Sequence, residues 1–243
     1  MTLLSVTKDV CAAVGVTIPT SVFTNITGNR TMQEMLALAN EMAQRIAYDT
    51  RDWTALIKTK TFTGDGVAVG FDMPADYKRM LLNTQVWRST STQTPMRFIS
   101  DANEWLNRRA RAEYNASGDW TLLGNQMHIS PLLAGPDPGP AQTAYFAYLD
   151  KNCIKLASGN YGETFIADGD SFRLDERILK LGMIWQWKAQ KGGAYAEDMG
   201  TYGDALGSVM GRDKPSPIII GRVPVSVHAT VAYPWPLPSE YGP

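Results

Sequence analysis

The sequence predicts an α+β protein: a helical bundle formed by the N- and C-terminal helices, with an inserted antiparallel β-rich domain and an extended C-terminal arm. Three observations support this prediction. Apolar residues recur at a helical period within residues 1–55 and 170–212. Residues 56–169 instead combine strand-like alternation with Gly, Asn and Pro at turns. Residues 213–243 are rich in proline and apolar side chains, so we assign them to the arm.

The first 55 residues predict two amphipathic helices. Leu3–Val14 has apolar residues at positions 3, 6, 10 and 14 and is expected to end near Gly15. The second helix is expected to open at a capping box, in which Thr31 and Glu34 satisfy free N–H groups of the first turn. Its apolar face consists of Met35, Leu38, Met42 and Ile46.

The middle of the chain predicts strands, two hairpins and one short helix. Alternation from Lys58 runs into Gly64-Asp65-Gly66, which predicts a first hairpin. Residues 71–80 read as a loop that leads to a strand through Thr84–Trp87, and Ser100 is expected to cap a short helix over Asp101–Arg111. A second hairpin turns at Gly124-Asn125, between residues 120–122 and 127–130, and residues 142–149 predict a further strand.

The C-terminal part of the folded region predicts a helical hairpin. Its first helix spans Leu174–Gln190 and carries one apolar stripe formed by Leu174, Ile178, Leu181 and Trp185. Gly192-Gly193 ends that helix. The second helix runs from Tyr195 to Arg212, with a stripe formed by Tyr195, Met199, Tyr202, Leu206 and Val209. Acidic residues begin the first helix and lysines end it, in agreement with the helix dipole.

The arm is unusual in composition. Seven of the 14 prolines follow Lys214, and Arg222 is the one formal charge between Pro215 and Ser239. Such a segment is too rich in proline to fold alone and too apolar for an ordinary solvated linker, so we expect it to dock on another chain. The side chains expected to bind that partner are Ile218, Ile219, Ile220, Val223, Val225, Val227, Tyr233 and Trp235.

We predict no catalytic, cofactor-binding or metal site. The chain has two histidines, His128 and His228, and two cysteines, Cys11 and Cys153, none with the spacing of metal ligands. Asp168-Gly169-Asp170 lacks the later ligands of a calcium loop and is expected to form a turn. The cysteines suggest no disulfide framework, which favours synthesis in a reducing cytoplasm, and the longest early apolar run is too short to cross a membrane.

Two other function classes are open. Arg108, Arg109 and Arg111, with Trp105 and Tyr114, could contact phosphates and stack on bases, and salt-dependent DNA binding would test that nucleic-acid-binding alternative. A solvated or subunit-facing helix surface is the favoured interpretation, because acidic neighbours offset this charge. The seven tryptophans leave open a tail protein that binds or cleaves carbohydrate, which a glycan array would test.

A resemblance to a known family covers residues 3–213. In the C-terminal helices it is carried by Ser171-Phe172, Leu174-Asp175-Glu176, Gly182, Trp185-x-Trp187-Lys188, Lys191-Gly192, Tyr195-Ala196-Glu197-Asp198, Thr201-Tyr202 and Arg212-Asp213. Earlier segments include Leu3-Leu4-Ser5-Val6, Asp52-Trp53, Met73-Pro74-x-Asp76-Tyr77 and Gly124-Asn125-x-Met127. Their order resembles the head-to-tail adaptor, or connector, family of tailed bacteriophages, including short-tailed-phage adaptors similar to tail tubular protein A.

The resemblance implies a structural virion protein without enzymatic activity. Family members form a ring below the portal that joins the capsid to the tail, so the expected partners are about eleven further copies, the portal and the next tail component. Viral DNA would pass through the ring, and no membrane would be involved. Trp185 and Trp187 point in different directions on one helix, which suggests apolar surface for a neighbour. The residues expected at the subunit interface are Trp187, Arg108, Arg109, Arg111 and Tyr202.

Overall fold

The computed structural model describes residues 1–24, 26–81, 84–90, 94–137 and 139–213. It confirms the predicted fold class, because the N- and C-terminal helices pack together and β-sheets form the central part of the chain. The arm and its eight predicted partner-binding residues, from Ile218 to Trp235, lie outside the described residues.

The two N-terminal helices form as predicted, but one begins at a different cap. Helix α1 spans Leu3–Val14 and ends at Gly15, which has the left-handed conformation that glycine favours. Helix α2 spans Arg30–Gln44, and the Asn29 side chain accepts a hydrogen bond from the Met32 N–H at 3.3 Å. The predicted capping box of Thr31 and Glu34 is therefore wrong. The last turn continues as a π-helix over Arg45–Asp49, before a short 3-10 turn at Thr54–Leu56.

The remaining helices are α3 at Ala102–Ala110, α4 at Glu176–Gln190 and α5 at Ala196–Asp213. Helix α3 is capped by Asp101, which accepts from the Asn103 N–H at 2.9 Å, so the prediction of Ser100 as the cap is wrong. Helix α4 is capped by Asp175. Together α1, α2, α4 and α5 form the helical body, in which α4 contacts the other three helices.

The predicted apolar stripe of α4 is only partly correct. Ile178 is buried, but Leu181 and Trp185 are half-buried. The fully covered positions are Ile178, Leu179, Gly182, Met183, Ile184 and Trp187. Because α4 is surrounded by three helices, more than one of its faces is buried, and a single stripe does not describe it. At Gly182, where helices meet, an added Cβ would lie 2.6 Å from the Met42 Cε and 3.2 Å from the Tyr202 ring, so those side chains would have to shift.

Eleven strands are formed by the described residues. They are β1 at Ile57–Thr63, β2 at Gly70–Asp72, β3 at Tyr77–Met80, β4 at Trp87–Arg88, β5 at Arg97–Phe98, β6 at Asp119–Leu123, β7 at Gln126–Ser130, β8 at Thr143–Asp150, β9 at Ile154–Lys155, β10 at Tyr161–Gly162 and β11 at Ser171–Phe172. In the first sheet β8 lies between β1 and the short strands β3 and β4. The second sheet has the order β2-β7-β6-β5, with a parallel pair at β5–β6, and β9 joins β10 to β11 in a third.

One predicted hairpin is confirmed and the other is wrong. Strands β6 and β7 pair through a turn at Gly124 and Asn125, which both have positive φ, as a two-residue hairpin of type I′ requires. Strand β1 pairs instead with β8, and Gly64 leads the chain to another sheet. A Cβ on Gly64 would lie 2.4 Å from the Leu133 Cβ, so this glycine permits close packing of two loops.

Two apolar cores hold these layers. The first is formed mainly by the helical body and also receives Leu149, Cys153, Ile154, Phe165 and Phe172. The second lies among the strands of the two larger sheets and contains Phe62, Met127, Ile129 and Phe146. The predicted domain boundaries stay a prediction; they are residues 1–55 with 170–212, residues 56–169 and residues 213–243. Within the predicted β-rich domain, apolar residues between Leu149 and Phe165 pack on the helices, as does Phe172.

The loop before α4 forms the expected turn, and the buried Asp170 fixes it. Its carboxylate accepts hydrogen bonds from the N–H groups of Ile166, Ala167 and Ala157 at 2.7, 2.8 and 2.9 Å. The Leu3 N–H donates to the Asp170 backbone carbonyl at 2.7 Å, which joins α1 to the same turn. The carboxylate therefore organises backbone donors.

We expect Asp170→Asn to lower the free energy of unfolding by about 2–3 kcal/mol, because an amide turns one acceptor into a donor that faces an N–H group. Urea denaturation measures this change. The matched control is Asp9→Asn, which removes an exposed ion pair with Lys180 and is expected to cost less than about 1 kcal/mol. Equal effects of both substitutions would contradict this role of Asp170.

Candidate assembly surfaces

Helix α5 exposes most of its surface. Ala205 is its one buried residue, while Tyr202, Leu206 and Val209 are half-buried against the helical body. Met199 is 50 % exposed, and Tyr195, just before the helix, is 43 % exposed. The predicted stripe is thus covered at its centre and open at its N-terminal end.

The side of α5 that faces away from the body carries four glycines, Gly200, Gly203, Gly207 and Gly211. A Cβ built on any of them would meet no described atom within 4 Å. Each glycine costs a helix roughly 1 kcal/mol relative to alanine. The backbone of this face is therefore open to close approach by another element, at a cost in the helix's intrinsic stability.

Both ends of α5 are attached to the body. At the N-terminal end, the Lys188 ammonium lies 2.6 Å from the Asp198 carboxylate. At the C-terminal end, the Asp213 carboxylate accepts a hydrogen bond from the Thr54 N–H at 3.1 Å and lies 3.7 Å from the Arg51 guanidinium. Asp213, the last residue before the arm, is therefore held against the segment that connects α2 to β1.

Two of the predicted interface residues lie within or against the helical body. Trp187 is only 6 % exposed, with the Lys191 ammonium 4.7 Å from its ring centroid, which leaves little of the indole for a neighbouring subunit. Tyr202 is half-buried and packs on Trp185, with ring centroids 6.1 Å apart. Burial raises the pKa of the Tyr202 phenol. Whether either residue contacts another subunit stays a prediction.

The predicted arginine cluster on α3 is divided by the structure. Arg108 is held by Glu104 at 3.0 Å and by the buried Asp119 at 3.6 Å. Arg109 and Arg111 are exposed and make no ion pair within the described residues. Two cations, rather than three, therefore remain open to a partner.

The nucleic-acid-binding alternative loses one of its aromatic residues. Trp105 packs beneath α3 and is 2 % exposed, so it cannot stack on a base as that alternative required. Tyr114 is exposed. The physical reason is that Trp105 is the one buried residue of α3, so its ring packs on the body of the protein and not towards a partner.

A further surface, which we name the aromatic groove, was missed by sequence reasoning. It encloses about 360 Å³ and is lined by Tyr77, Met80, Leu81, Thr84, Phe98, Trp120 and Leu122. Phe98 is 51 % exposed at the sheet edge, and its ring lies against the buried Trp120 with centroids 4.6 Å apart. Because three separate stretches of the chain form this groove (residues 77–81 with Thr84, Phe98, and residues 120–122), no local pattern could have revealed it.

A buried ion network joins the sheet to the helical body. Asp150 is 0 % exposed, and its carboxylate lies 2.6 Å from the Arg173 guanidinium and 2.9 Å from the Lys58 ammonium. Lys58 also lies 2.6 Å from Asp76, which accepts a hydrogen bond from the Tyr148 hydroxyl at 2.9 Å. Side chains from β1, β8, the loop before β3 and the segment between β11 and α4 are thereby held in one arrangement.

The pKa values of this network follow from its geometry. Burial opposes ionisation of Asp76, but hydrogen bonds from Lys58 and Tyr148 outweigh it and lower the Asp76 pKa. Burial likewise opposes protonation of Lys58, yet its two carboxylate partners raise the Lys58 pKa. Burial and the hydrogen bond to Asp76 raise the pKa of Tyr148 to about 12. Each group thus keeps its ordinary charge at neutral pH.

The two cysteines form neither a disulfide bond nor part of a metal-binding group among the described residues. Cys11 and Cys153 are free and buried, and burial raises the pKa of both thiols. In the part of the chain that the structure describes, no group of three or more His, Cys, Asp or Glu side chains could hold a metal ion. Among the described helices, none has the length and hydropathy to cross a membrane.

His128 gives a testable pH dependence. Burial, followed by the nearby charge of Arg109, lowers its pKa in the folded chain. A histidine with a lowered folded pKa binds a proton more readily when unfolded. Stability is then fully present above the ordinary value of about 6.5 and falls as pH decreases through it.

We expect the free energy of unfolding to decline between pH 7 and pH 5.5, with a slope of at most about 1.4 kcal/mol per pH unit. His128→Asn is expected to remove most of this decline, whereas His228→Asn in the arm leaves it unchanged. Denaturation series across this pH range measure both variants. A decline that persists in His128→Asn would contradict the assignment.

Comparison of the chain with protein-family models and with curated protein sequences found no match.

Proposed function

We propose that this protein is a structural component of a tailed bacteriophage, a head-to-tail adaptor. It is made in the cytoplasm of the bacterial host and forms a ring of about twelve copies at the head–tail junction of the virion. The ring binds the portal on one face and the next tail component on the other, and viral DNA passes through it. The proposal includes no cofactor, no catalytic residue and no membrane.

One observation carries the proposal. The residues whose order resembles the adaptor family build the α4–α5 hairpin, and α5 covers little of its own surface. Met199 and the preceding Tyr195 remain exposed, although α5 is attached to the body at both ends. Exposed apolar surface on a firmly held helix is typical of a protein–protein contact.

Charge supports the same proposal. The chain carries 23 basic and 24 acidic residues, so the net charge of each copy is −1. A strongly basic channel would bind the phosphate backbone and retain the passing DNA. A ring of nearly neutral subunits lets DNA pass without strong attraction.

The ring requires two different surfaces on each copy, because a closed ring is built from heterologous contacts. The open side of α5 is one candidate. The α3 side, with Arg109 and Arg111 exposed, is a candidate for the other. We expect the purified chain to be monomeric in solution, with ring closure on a portal template.

Gly207→Gln tests the contact on α5. A Cβ at this position meets no described atom within 4 Å, and glutamine replaces a poor helix former, so the free energy of unfolding is expected to rise by roughly 0.5–1 kcal/mol. The same side chain would separate α5 from a closely packed neighbour. We therefore expect a stable monomer that is not incorporated into particles when it complements virus lacking the chain.

The control for this test is Ala13→Gln on the exposed side of α1, which is expected to be incorporated normally. Incorporation of Gly207→Gln at the level of the unmodified chain would show that α5 does not form a close contact.

The yield of infectious particles after complementation with His128→Ala or His228→Ala is expected to stay within a few-fold of that of the unmodified chain. Loss of infectivity with normal particle composition would reveal chemistry at a histidine.

DNA binding through α3 is the second candidate function, and the exposure of Arg109 and Arg111 favours it. If α3 binds DNA, the purified chain would show affinity that falls steeply with salt and weakens in Arg109→Gln/Arg111→Gln. The adaptor proposal expects no such binding by the isolated chain.

A further inference from the structure

We propose that the aromatic groove binds the proline-rich segment Tyr233–Pro238 from the arm of a neighbouring copy. This inference rests on the proposed function in one respect, namely that copies of the chain are neighbours in a ring. It adds the receiving surface and the segment that occupies it. The arm would then connect each subunit to the next.

The groove has the chemistry of a site for an extended apolar peptide. No charged side chain is among its described lining residues. Tyr77 and Phe98 supply aromatic surface, while Trp120 forms the floor beneath Phe98. Its volume of about 360 Å³ is within the usual range for ligand pockets, roughly 300–1,000 Å³. Half of the Phe98 side chain is exposed at the sheet edge.

The segment Tyr233–Pro238 reads Tyr-Pro-Trp-Pro-Leu-Pro and carries no charge. Proline at every second position favours the polyproline II conformation, and aromatic-lined grooves are the usual receptors of such segments. Because proline already restricts φ, ordering the segment costs less conformational entropy than ordering a flexible one. Trp235 supplies the large side chain that most often dominates such contacts.

The length of the arm favours a neighbouring copy as the receiver. The groove and the start of the arm are both attached near residues 52–54. Arg79 of β3, a strand that lines the groove, lies 2.6 Å from Asp52, and Thr54 lies 3.1 Å from Asp213, the last residue before the arm. Within one chain they are therefore on the order of 20 Å apart. Residues 214–232 span about 60 Å when extended at about 3.1 Å per residue. Prolines 215, 217 and 224 favour an extended arm, and an extended arm reaches past the groove of its own chain towards that of a neighbour.

The first experiment tests recognition without requiring a ring or a virion. A labelled peptide of residues 229–241 is titrated into the full-length chain carrying Trp235→Ala, which weakens competition from the chain's own arm. We expect saturable binding, and at least about tenfold weaker binding when Phe98→Ala is added or when the peptide itself carries Trp235→Ala. Tyr145→Ala, an equally exposed aromatic on β8, is the matched control and is expected to bind normally.

Phe98 is half-exposed, so its replacement is expected to leave the fold intact, which an unfolding curve verifies. Thr84→Arg, which places a charge in the groove, is a second variant expected to weaken binding. Absence of peptide binding, or binding that neither groove variant changes, overturns the proposal. This outcome is independent of the proposed function, because virion assembly has no part in the measurement.

The second experiment tests the neighbouring copy. Two differently tagged full-length chains, each carrying Ser239→Cys directly after the binding segment and Thr84→Cys in the groove, are mixed at high concentration and oxidised. The native cysteines are buried and do not compete. We expect disulfide bonds that join the two tags, and far fewer when Ile166→Cys, at an exposed position, replaces Thr84→Cys. Bonds formed only within single chains would place the arm in its own groove and overturn the assignment to a neighbouring copy. An absence of disulfide bonds would also overturn that assignment.

Discussion

Truncation after Asp213 is expected to leave a folded chain that no longer joins filled heads, or that yields particles leaking DNA. Folding is expected to survive because both apolar cores and the attachments of α5 lie within residues 1–213. Infectious titre is expected to fall by orders of magnitude, since attachment depends on the removed residues.

The physical reason is the reach and composition of the arm. Residues 214–243 extend to roughly 90 Å at about 3.1 Å per residue, far enough to cross a neighbouring subunit or the portal. Ile218–Ile220 and Val223-x-Val225-x-Val227 can each supply apolar anchors, in addition to Trp235. Each buried side chain of this kind contributes about 1.5–3 kcal/mol, which offsets the cost of ordering the arm.

Particle composition and DNA retention measure this effect after complementation with the truncated chain. The control is the full-length chain with Ser216→Ala and Ser226→Ala, which keeps the length and the apolar anchors. Stable, infectious particles built from the truncated chain would show that the arm is dispensable. Insolubility of the truncated chain would contradict the expectation that residues 1–213 fold without it.

Asp150→Ala is expected to lower the free energy of unfolding by about 3–5 kcal/mol. The Asp150 carboxylate is fully buried and bonded to Arg173 and Lys58, and it also accepts from the Asn152 N–H at 2.9 Å. Removing it leaves two cations without their shared partner inside the protein. Because the network joins β8 to the helical body, we expect the loss to affect the whole folding transition.

Chemical denaturation measures this loss, and Glu163→Ala is the matched control. Glu163 also pairs with a lysine, Lys151, at 2.9 Å, but its side chain is half-exposed. Exposed pairs contribute about 0–1 kcal/mol, so the control is expected to change little. If Asp150→Ala also costs under about 1 kcal/mol, the network does not connect the two parts as described.

The sequence predicted those elements whose signals are local. Helix α1 ends where Gly15 can adopt a left-handed conformation, and the turn at Gly124-Asn125 is specified by the two residues themselves. Helix caps were less certain, because Asn29 and Thr31 are both suitable cap residues and lie two positions apart. The choice between them depends on where the preceding connector enters the helix.

Features that depend on distant residues could not be predicted. Strand β1 pairs with β8, which follows it by many residues, and the turn-like Gly64-Asp65-Gly66 gave the wrong partner. Trp185 and Trp187 suggest open apolar surface on α4, whereas contacts with α1, α2 and α5 bury several sides of that helix. A contact of Trp187 with another subunit stays a prediction. The aromatic groove likewise exists only after β3, β5 and β6 are brought together.

A reconstruction of purified virions at the capsid vertex that carries the tail tests the adaptor assignment most directly. We predict a closed ring of about twelve copies of this chain between the portal and the next tail component, with α5 of each copy at a subunit contact and the arm crossing to a neighbouring chain. Isolated copies, or no density for this chain at the vertex, would contradict the assignment.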